Sequence, residues 1–329
     1  YINASDRYGS PEAMRIFEQL IGDFPDSLRA GEAKLLWAGL AVENGRAAEV
    51  PKFLSDLNAK RDAGALLATA KAYERAGDRT NAVKFYRQTY FYGAGTDAAK
   101  EAESKLVALA ESLTPRTEEE IRARADRLYG ASRFSEAADA YNELLRNFPQ
   151  AGSPALQLKR LTSYVNARRM TEATAAFNAI PASAGEKPEA FYRLALGYAK
   201  TRQWPQARSV VAEMREKLPN SDWTPKAMIA VGMAARDAKN KSDESYFLKA
   251  AVAAYPKAVD VAQAQFELAW LEHENRNFQE SSKMLIEHLA RYAREDTTNR
   301  GKAGYWAARD SERAGKIPEA CALYDAVVY

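Results

Sequence analysis

The 329-residue chain has little of the side-chain chemistry on which disulfide proteins and many enzymes depend. Cys321 is the only cysteine, so an intramolecular disulfide is excluded and cysteine usage does not indicate a redox compartment. Only two histidines occur, His273 and His288. No apolar run approaches the ~20 residues of a membrane-spanning helix. The opening stretch, YINASDRYGS, is not a basic and then apolar targeting segment, and neither end has the features of a natural terminus.

A strong charge of one sign is also lacking. The 47 Lys and Arg residues stand against 44 Asp and Glu residues, which leaves a formal net charge of +3. A chain so nearly balanced has no strong field to attract nucleic acid, so no nucleic-acid partner is expected. The hydrophobic content of 47% is sufficient for a substantial buried core.

What the sequence does contain is a repeat. The ending GKIPEACALY is related to GSPEAMRIF, GDRTNAVKFY, SRFSEAADAY, RRMTEATAAF, RQWPQARSVV and NRNFQESSKML. We call the small residue of each copy the anchor. The anchors are Ala13, Ala48, Ala82, Ala137, Ala173, Ala207, a degenerate Glu244, Ser281 and Ala320. Successive anchors recur at a nearly constant spacing, except for one much longer interval from Ala82 to Ala137.

Two further rows keep step with the anchors. Four residues after the anchor stand large residues: Phe17, Tyr86, Tyr141, Phe177, Val211, Leu248, Leu285 and Tyr324. Twelve residues before it stand small ones: Ala70, Ala125, Ala195, Gly232, Ala269 and Ala308. Each repeat is therefore predicted to form a first and a second amphipathic helix that approach closely at the small residues. Short turns containing Gly77, Gly130 or Gly315 join them, and Pro11, Pro205 and Pro318 mark second-helix starts.

This period and pattern resemble the tetratricopeptide repeat. The resemblance implies an all-α fold, a tetratricopeptide-like α-solenoid of antiparallel helix pairs. An irregular superhelix is expected, because most of the anchor intervals are longer than the roughly 34 residues of that repeat. The expected organisation is helical repeats over residues 1–92, an inserted helix and linker over 93–114, and further repeats over 115–329, all in one solenoid. Thr117 and Glu120 have capping-box spacing at the start of the third part.

No catalytic residue, metal ligand or cofactor site is predicted. His273 falls in a first helix and His288 in a second, so they share no helix face, and surface positions are expected for both. Cys321 follows an anchor alanine, where core packing is expected rather than a nucleophile. The stretch YGAGTD around Gly93 and Gly95 is interpreted as the break before the inserted helix and not as a nucleotide-binding loop. No carboxylate is found in an apolar setting that would raise its pKa.

The ligand face is expected on the first helices, because these usually line the concave side of a stacked helix-pair array. The candidate contact residues are Tyr192, Met233, Arg236, Phe266, Trp270, Tyr305 and Arg309, with Leu196, Ile229 and His273 at neighbouring positions. Residues of each set are three or four apart and share a helix face. The alternative is that several of them pack between helices.

The ending RGKAGYWAARDSERAGKIPEACALYDAVVY carries a narrower resemblance. It is similar to the segment that precedes the catalytic domain of bacterial soluble lytic transglycosylases. The matching residues are Tyr305, Trp306, Ala308, Arg309, Ala314, Gly315, Ala320, Ala322, Leu323 and Tyr324. This resemblance implies a periplasmic, non-catalytic superhelical region that holds a peptidoglycan strand near an active site in another domain.

Two other functions stay open at this point. A stand-alone tetratricopeptide adaptor would bind a protein or peptide partner. A complete hydrolase hidden among the helices lacks a reactive constellation in this sequence.

Overall fold

The fold is built from helices throughout the part of the chain that can be described. The computed structural model describes residues 10–258, 260–292, 294 and 297–328, and every regular element within them is helical. The chain divides into two compact units, Tyr1–Leu156 and Gln157–Tyr329, which we call the N-terminal and C-terminal units. The predicted all-α class is confirmed. The predicted continuity of one solenoid along the whole chain stays a prediction.

The N-terminal unit contains nine α-helices among its described residues. They are α1 (Ser10–Asp23), α2 (Leu28–Glu43), α3 (Val50–Phe53), α4 (Ser55–Ala59), α5 (Ala63–Arg75), α6 (Arg79–Tyr92), α7 (Asp97–Ala108), α8 (Glu118–Gly130) and α9 (Phe134–Asn147). Two short 3-10 helices lie at Ala47–Glu49 and Pro149–Ala151. Helix α10 (Pro154–Asn166) begins in this unit and continues into the next.

The C-terminal unit continues with longer, more regular pairs. Its helices are α11 (Met170–Asn178), α12 (Lys187–Lys200), α13 (Trp204–Lys217), α14 (Trp223–Asp237), α15 (Lys241–Ala254), α16 (Val261–Glu274), α17 (Phe278–Tyr292), α18 (Thr297–Arg313) and α19 (Ile317–Val328). Sequential helices from α12 to α19 pack as tetratricopeptide-like antiparallel hairpins. Pro205 and Pro318 are the second residues of α13 and α19, as predicted.

In both units, a left-handed residue follows the first helix of most pairs, five positions before the anchor. It is Gly77, Ser132, Arg168, Arg202, Lys239, Arg276 or Gly315, with φ between +57° and +79°. The following N–H then reaches back over the turn; Gln203 N, for example, donates to Tyr198 O at 2.8 Å. This is the Schellman arrangement, which satisfies the last carbonyl groups of a helix. The predicted turn glycine Gly130 instead closes α8, and Ser132 takes the left-handed conformation.

The small rows lie in the core of the helix pairs, as predicted. The residues twelve positions before the anchors are all buried: Ala70, Ala125, Ala195, Gly232, Ala269 and Ala308. The space there is tight, because a Cβ added to Gly232 would lie 2.6 Å from Leu248 Cδ2. Most anchors are buried too: Ala13, Ala82, Ala137, Ala173, Ala207, Glu244, Ser281 and Ala320. The helices of each pair therefore approach at small residues.

The anchor assigned to Ala48 is wrong. Ala48 is exposed, whereas Ala47 and Val50 are buried. The second helix is broken here into a 3-10 turn followed by α3 and α4, and Pro51 lies within the broken segment. Proline removes a backbone donor that a helix interior would use, so the regular register of the repeat is lost.

The long interval holds the predicted extra helix, α7, and a linker fixed by one buried guanidinium. Arg87, 3% exposed, donates to Ser112 O at 2.5 Å and Thr114 O at 3.0 Å, and pairs with Glu120 at 3.1 Å. Thr117 caps α8 by accepting a hydrogen bond from Glu120 N. The Glu120 carboxylate accepts a hydrogen bond from Arg116 N rather than from Thr117 N. Only one of the two hydrogen bonds of the predicted capping box is therefore formed.

Glu244 contradicts the expectation that no carboxyl lies in an apolar setting. It occupies an anchor position on α15 and is only 4% exposed. Burial raises its pKa to about 7, and the nearby charge of Glu274 acts in the same direction. Glu267 adds to this effect, while Arg236 and Lys241 oppose it. The sequence pattern missed this acid because it was scored only as a degenerate anchor.

The packing of the small row predicts unequal effects for two leucine substitutions on α18. Ala308 is fully buried and Lys302 is exposed. We expect Ala308→Leu to lower the free energy of unfolding by about 1–3 kcal/mol through overpacking. Lys302→Leu should stay within about 0.5 kcal/mol of the parent protein. Chemical denaturation of both variants measures the difference, and equal shifts would show that the small row is misassigned.

Glu244 predicts a pH-dependent effect on stability. Because its pKa is raised to about 7, the folded chain holds this proton more tightly than the unfolded chain. The resulting loss of stability is absent below the unfolded-state pKa, grows as the pH rises, and is complete above about 7. Glu244→Gln should therefore raise the free energy of unfolding by about 2–3 kcal/mol at pH 8 and change it little at pH 4.5.

The matched control for this measurement is Glu216→Gln, at an exposed position on α13. We expect a small change in the free energy of unfolding, because substitutions at exposed positions away from special contacts usually have little effect. Denaturation curves for the parent protein and both variants at several pH values provide the comparison. A Glu244→Gln effect of the same size at pH 4.5 and pH 8 would contradict a raised pKa.

Candidate ligand-binding surface

The first helices of the C-terminal unit form one continuous surface. Helices α12, α14, α16 and α18 pack against one another in succession, and each of α13, α15 and α17 packs between its own first helix and the next. In stacked helix pairs this arrangement places the first helices on a shared side, where extended ligands bind. The seven predicted contact residues all lie on these four helices.

Aromatic rings from α16 and α18 meet on this surface. The Trp270 and Trp306 ring centroids are 5.1 Å apart at 74°, and His273 stacks on Trp270 at 4.5 Å and 16°. Tyr305 contacts the edge of Trp306 at 5.2 Å. We call Trp270, His273, Tyr305 and Trp306 the aromatic patch. Edge-to-face contacts of this kind stabilise ring clusters beyond simple burial.

A buried polar network holds the patch in place. Asp310, fully buried on α18, accepts hydrogen bonds from His273 Nδ1 at 2.9 Å and Ser281 Oγ at 2.7 Å. Arg313 lies 3.9 Å from the same carboxylate. The contact with Asp310 is made through Nδ1 of His273, and Nε2 is left as the other polar atom of the ring. The orientation of His273 is thus set by Asp310.

This network has the residue types of a catalytic triad but not the geometry. In a triad the serine hydroxyl bonds to the histidine and is activated by it. Here Ser281 is fully buried and donates to Asp310 instead. No nucleophile is therefore paired with His273 in these contacts, and the network orients a ring.

Tyr305 and Arg309 continue the surface along α18. Tyr305 is 45% exposed and is the most exposed ring of the aromatic patch. Arg309 pairs with Glu312 at 2.9 Å, and Tyr324 of α19 donates to the same carboxylate at 3.0 Å. The hydrogen bond from Tyr324, and next that from Arg309, lowers the pKa of Glu312. Arg309 is thus available at the surface but already shares a carboxylate.

A second aromatic contact lies at the other end of the surface. Tyr192 of α12 meets Trp223 of α14 with ring centroids 5.3 Å apart, and Lys226 lies 5.0 Å from the Trp223 ring. Between the two aromatic groups, Arg236 forms an ion pair with Glu267 at 2.5 Å, linking α14 to α16. Aromatic and charged residues therefore alternate along the four helices.

Two of the predicted surface positions are corrected by the structure. Phe266 is only 8% exposed and packs with Leu285, Ala303 and Ala307, so the packing alternative applies to it. Ile229, which was grouped with Met233 and Arg236 in the prediction, is 6% exposed and belongs to the core. Met233 is half-buried against that core. The helix face that was predicted from the residue spacing is therefore partly buried, because neighbouring helices cover it.

The predictions for His288 and Cys321 are also wrong. His288 is fully buried on α17, where its ring packs near Phe266 and Tyr292. Cys321 is exposed on α19 rather than packed in the core. The equivalent residue one pair earlier, Ser282, is buried and bonds to Ser311 of α18. Burial at this position thus depends on a neighbouring helix, which the local pattern does not reveal.

Sequence reasoning missed two tryptophans on the surface. Trp306 was matched in the narrow resemblance but left out of the contact set, because it is adjacent to Tyr305 and breaks the four-residue spacing. Trp223 is the first residue of α14 and lies before the periodic positions of that helix. The sequence offered one indication of their role, which is the residue type itself, since tryptophan is enriched in binding sites.

Two absences hold for the described residues. Within them, no group of three or more His, Cys, Asp and Glu side chains is placed to hold a metal ion. A helix long and apolar enough to cross a bilayer is likewise not found among them.

Comparison with known families and sequences gives one short match. A tetratricopeptide-repeat family model matches residues 64–90, which cover nearly all of α5 and α6. This helix pair contains the anchor Ala82 and the buried small residue twelve positions before it, Ala70. No curated protein sequence matches the chain.

Solved structures show distant likenesses to helical-repeat proteins. The tetratricopeptide domain of P58(IPK) is 15% identical with a TM-score of 0.28, and the match covers 97% of this chain and 88% of that one. A tetratricopeptide repeat protein from Parabacteroides merdae is 12% identical, with a TM-score of 0.37 and coverage of 80% and 91%. An inactive mutant of the lytic transglycosylase Slt from Pseudomonas aeruginosa is 15% identical, with a TM-score of 0.43.

The match to Slt covers 94% of this chain and 47% of that one, so the chain spans about half the length of that protein. Likenesses this distant do not bear on activity or ligand. The chain is a tetratricopeptide-like helical-repeat protein, with a surface suited to binding or scaffolding.

Proposed function

We propose that the first-helix surface of the C-terminal unit is a non-catalytic binding surface for a peptidoglycan glycan strand. The observation that carries the proposal is the aromatic patch, in which rings from α16 and α18 meet and Tyr305 is 45% exposed. Exposed aromatic rings offer apolar faces to sugar rings at low cost in conformational entropy. Arg309, at the edge of the patch, can pair with carboxylates such as those on stem peptides.

In this proposal the chain is part of a longer protein, a periplasmic lytic transglycosylase with its active site in another domain. The narrow resemblance at the end of the chain supports it, and Tyr305, Trp306 and Arg309 belong both to that resemblance and to the surface. In this role the helical region holds the strand and performs no bond cleavage. The periplasmic location rests on the same resemblance.

A second candidate is a stand-alone adaptor for a protein or peptide. The match of the tetratricopeptide family model to residues 64–90 favours it, because such repeats commonly bind peptide segments in their grooves. The Arg236–Glu267 pair and the alternation of rings with charges would suit an extended peptide as well. The two candidates differ in ligand and share the surface.

Within the patch, Tyr305 and Trp270 should have different effects. Tyr305 is largely open, whereas Trp270 has His273 stacked on it and is in contact with Trp306. Tyr305→Ala should weaken binding to isolated sacculi by about 1–3 kcal/mol without a change in thermal midpoint, as for an interface hot spot. Trp270→Ala should weaken binding and also lower the thermal midpoint, because it removes the support of the cluster.

Tyr246→Ala is the matched control for this measurement. Tyr246 is 44% exposed, close to the 45% of Tyr305, but lies on the second helix α15. Co-sedimentation with sacculi, and calorimetry with soluble glycan strands that carry or lack stem peptides, would measure each affinity. Failure of the parent protein to bind sacculi or strands would overturn the peptidoglycan proposal, and so would equal losses for Tyr305→Ala and Tyr246→Ala.

A further inference from the structure

The turn between α6 and α7 is packed tightly between two other segments of the N-terminal unit. A Cβ added to Gly93 would lie 2.8 Å from Ala63 Cβ at the start of α5. One added to Gly95, which has φ +90°, would lie 3.1 Å from Ala131 Cβ just beyond α8. The two glycines of YGAGTD thus allow close backbone approach on both sides. The turn, the start of α5 and the end of α8 converge as a result.

A cleft of about 320 Å³ opens where these segments converge. Its lining includes three cationic side chains, Lys60, Arg61 and Arg127, and one carboxylate, Asp62. The Asp62 carboxylate accepts a hydrogen bond from Ala65 N at 2.9 Å, as the N-cap of α5. The lining therefore carries a local positive excess that the overall net charge of +3 does not reveal.

The three cations differ in their partners. Arg61 forms an ion pair with Glu119, and its guanidinium lies 3.9 Å from the Tyr92 ring centroid. Lys60 and Arg127 form no ion pair with any described residue, and both are exposed. An anion entering the cleft would meet two cations that have no ion-pair partner among the described residues, so binding would not have to break an existing ion pair.

The surrounding backbone is compatible with a negative charge. The N-terminal ends of α5 and α7 both border the cleft, through Ala63 and Thr96. Helix N-termini carry a partial positive charge. The carbonyl of Gly93, which would repel an anion, accepts a hydrogen bond from Thr96 Oγ1 at 2.7 Å. These features reinforce the side-chain charges that define the cleft.

We propose that this cleft binds a compact anion, a carboxylate or phosphate group on a small molecule or chain end, between Lys60 and Arg127. A volume of about 320 Å³ is large enough for a small charged group. Lys60 contributes a point charge, and Arg127 can form paired hydrogen bonds to two oxygens of such a group. This site is separate from the first-helix surface and does not depend on the function proposed for it.

Calorimetric titration with potassium pyrophosphate and potassium citrate, at ionic strength matched with potassium chloride, tests the proposal on the full chain. The pair of probes distinguishes phosphate from carboxylate recognition. The double variant Lys60→Gln/Arg127→Gln should bind the preferred anion about tenfold more weakly or worse, since two charge-assisted contacts are lost. Both residues are exposed, so the thermal midpoint without ligand should change little.

The control Lys52→Gln/Arg75→Gln removes the same charge from two exposed residues outside the cleft lining. It should keep the affinity of the parent protein. Equal weakening in the two double variants would show general charge attraction and overturn the site. If the unmutated chain binds neither pyrophosphate nor citrate, the site is overturned too.

Discussion

Close approach of paired helices at small residues is the constraint on which the structure depends. Small residues at the two rows bring each first helix against its second helix, with Glu244 as the exception. The large residues four positions after the anchors fill the adjoining space. At Gly232 the contact is so close that even a methyl group would meet Leu248. The identity of the small residue is therefore fixed by steric exclusion, and interiors packed to this density have no slack to accept a larger one.

Where the chain departs from a small apolar anchor, polar chemistry enters the core. Ser281 stands at an anchor position, and its hydroxyl bonds to the buried Asp310. Asp310 in turn holds His273, on which Trp270 stacks. The aromatic patch on the surface is thus oriented by a substitution inside the helix pair. Glu244 is the other polar anchor, and its burial raises its pKa to about 7.

The two surfaces of interest differ in chemistry because they arise at different parts of the repeat. The first-helix surface presents rings and paired charges, since its side chains project from regular helices that pack in succession. The cationic cleft arises at turns, where glycine permits close backbone approach and side chains from three segments converge. A net charge of +3 describes neither surface, because the cleft lining brings together three cations and one carboxylate.

The sequence by itself determined the helix pairs, the small and large rows, the extra helix α7 and the N-cap at Thr117. These follow from periodicity and steric size, which are local properties. Local patterns could not place Phe266 and His288 inside, Cys321 outside, or Trp306 against Trp270, because each depends on which neighbouring helix covers the residue. The raised pKa of Glu244 and the convergence of Lys60 with Arg127 were likewise decided only by tertiary structure, since burial and charge proximity arise from packing between distant segments.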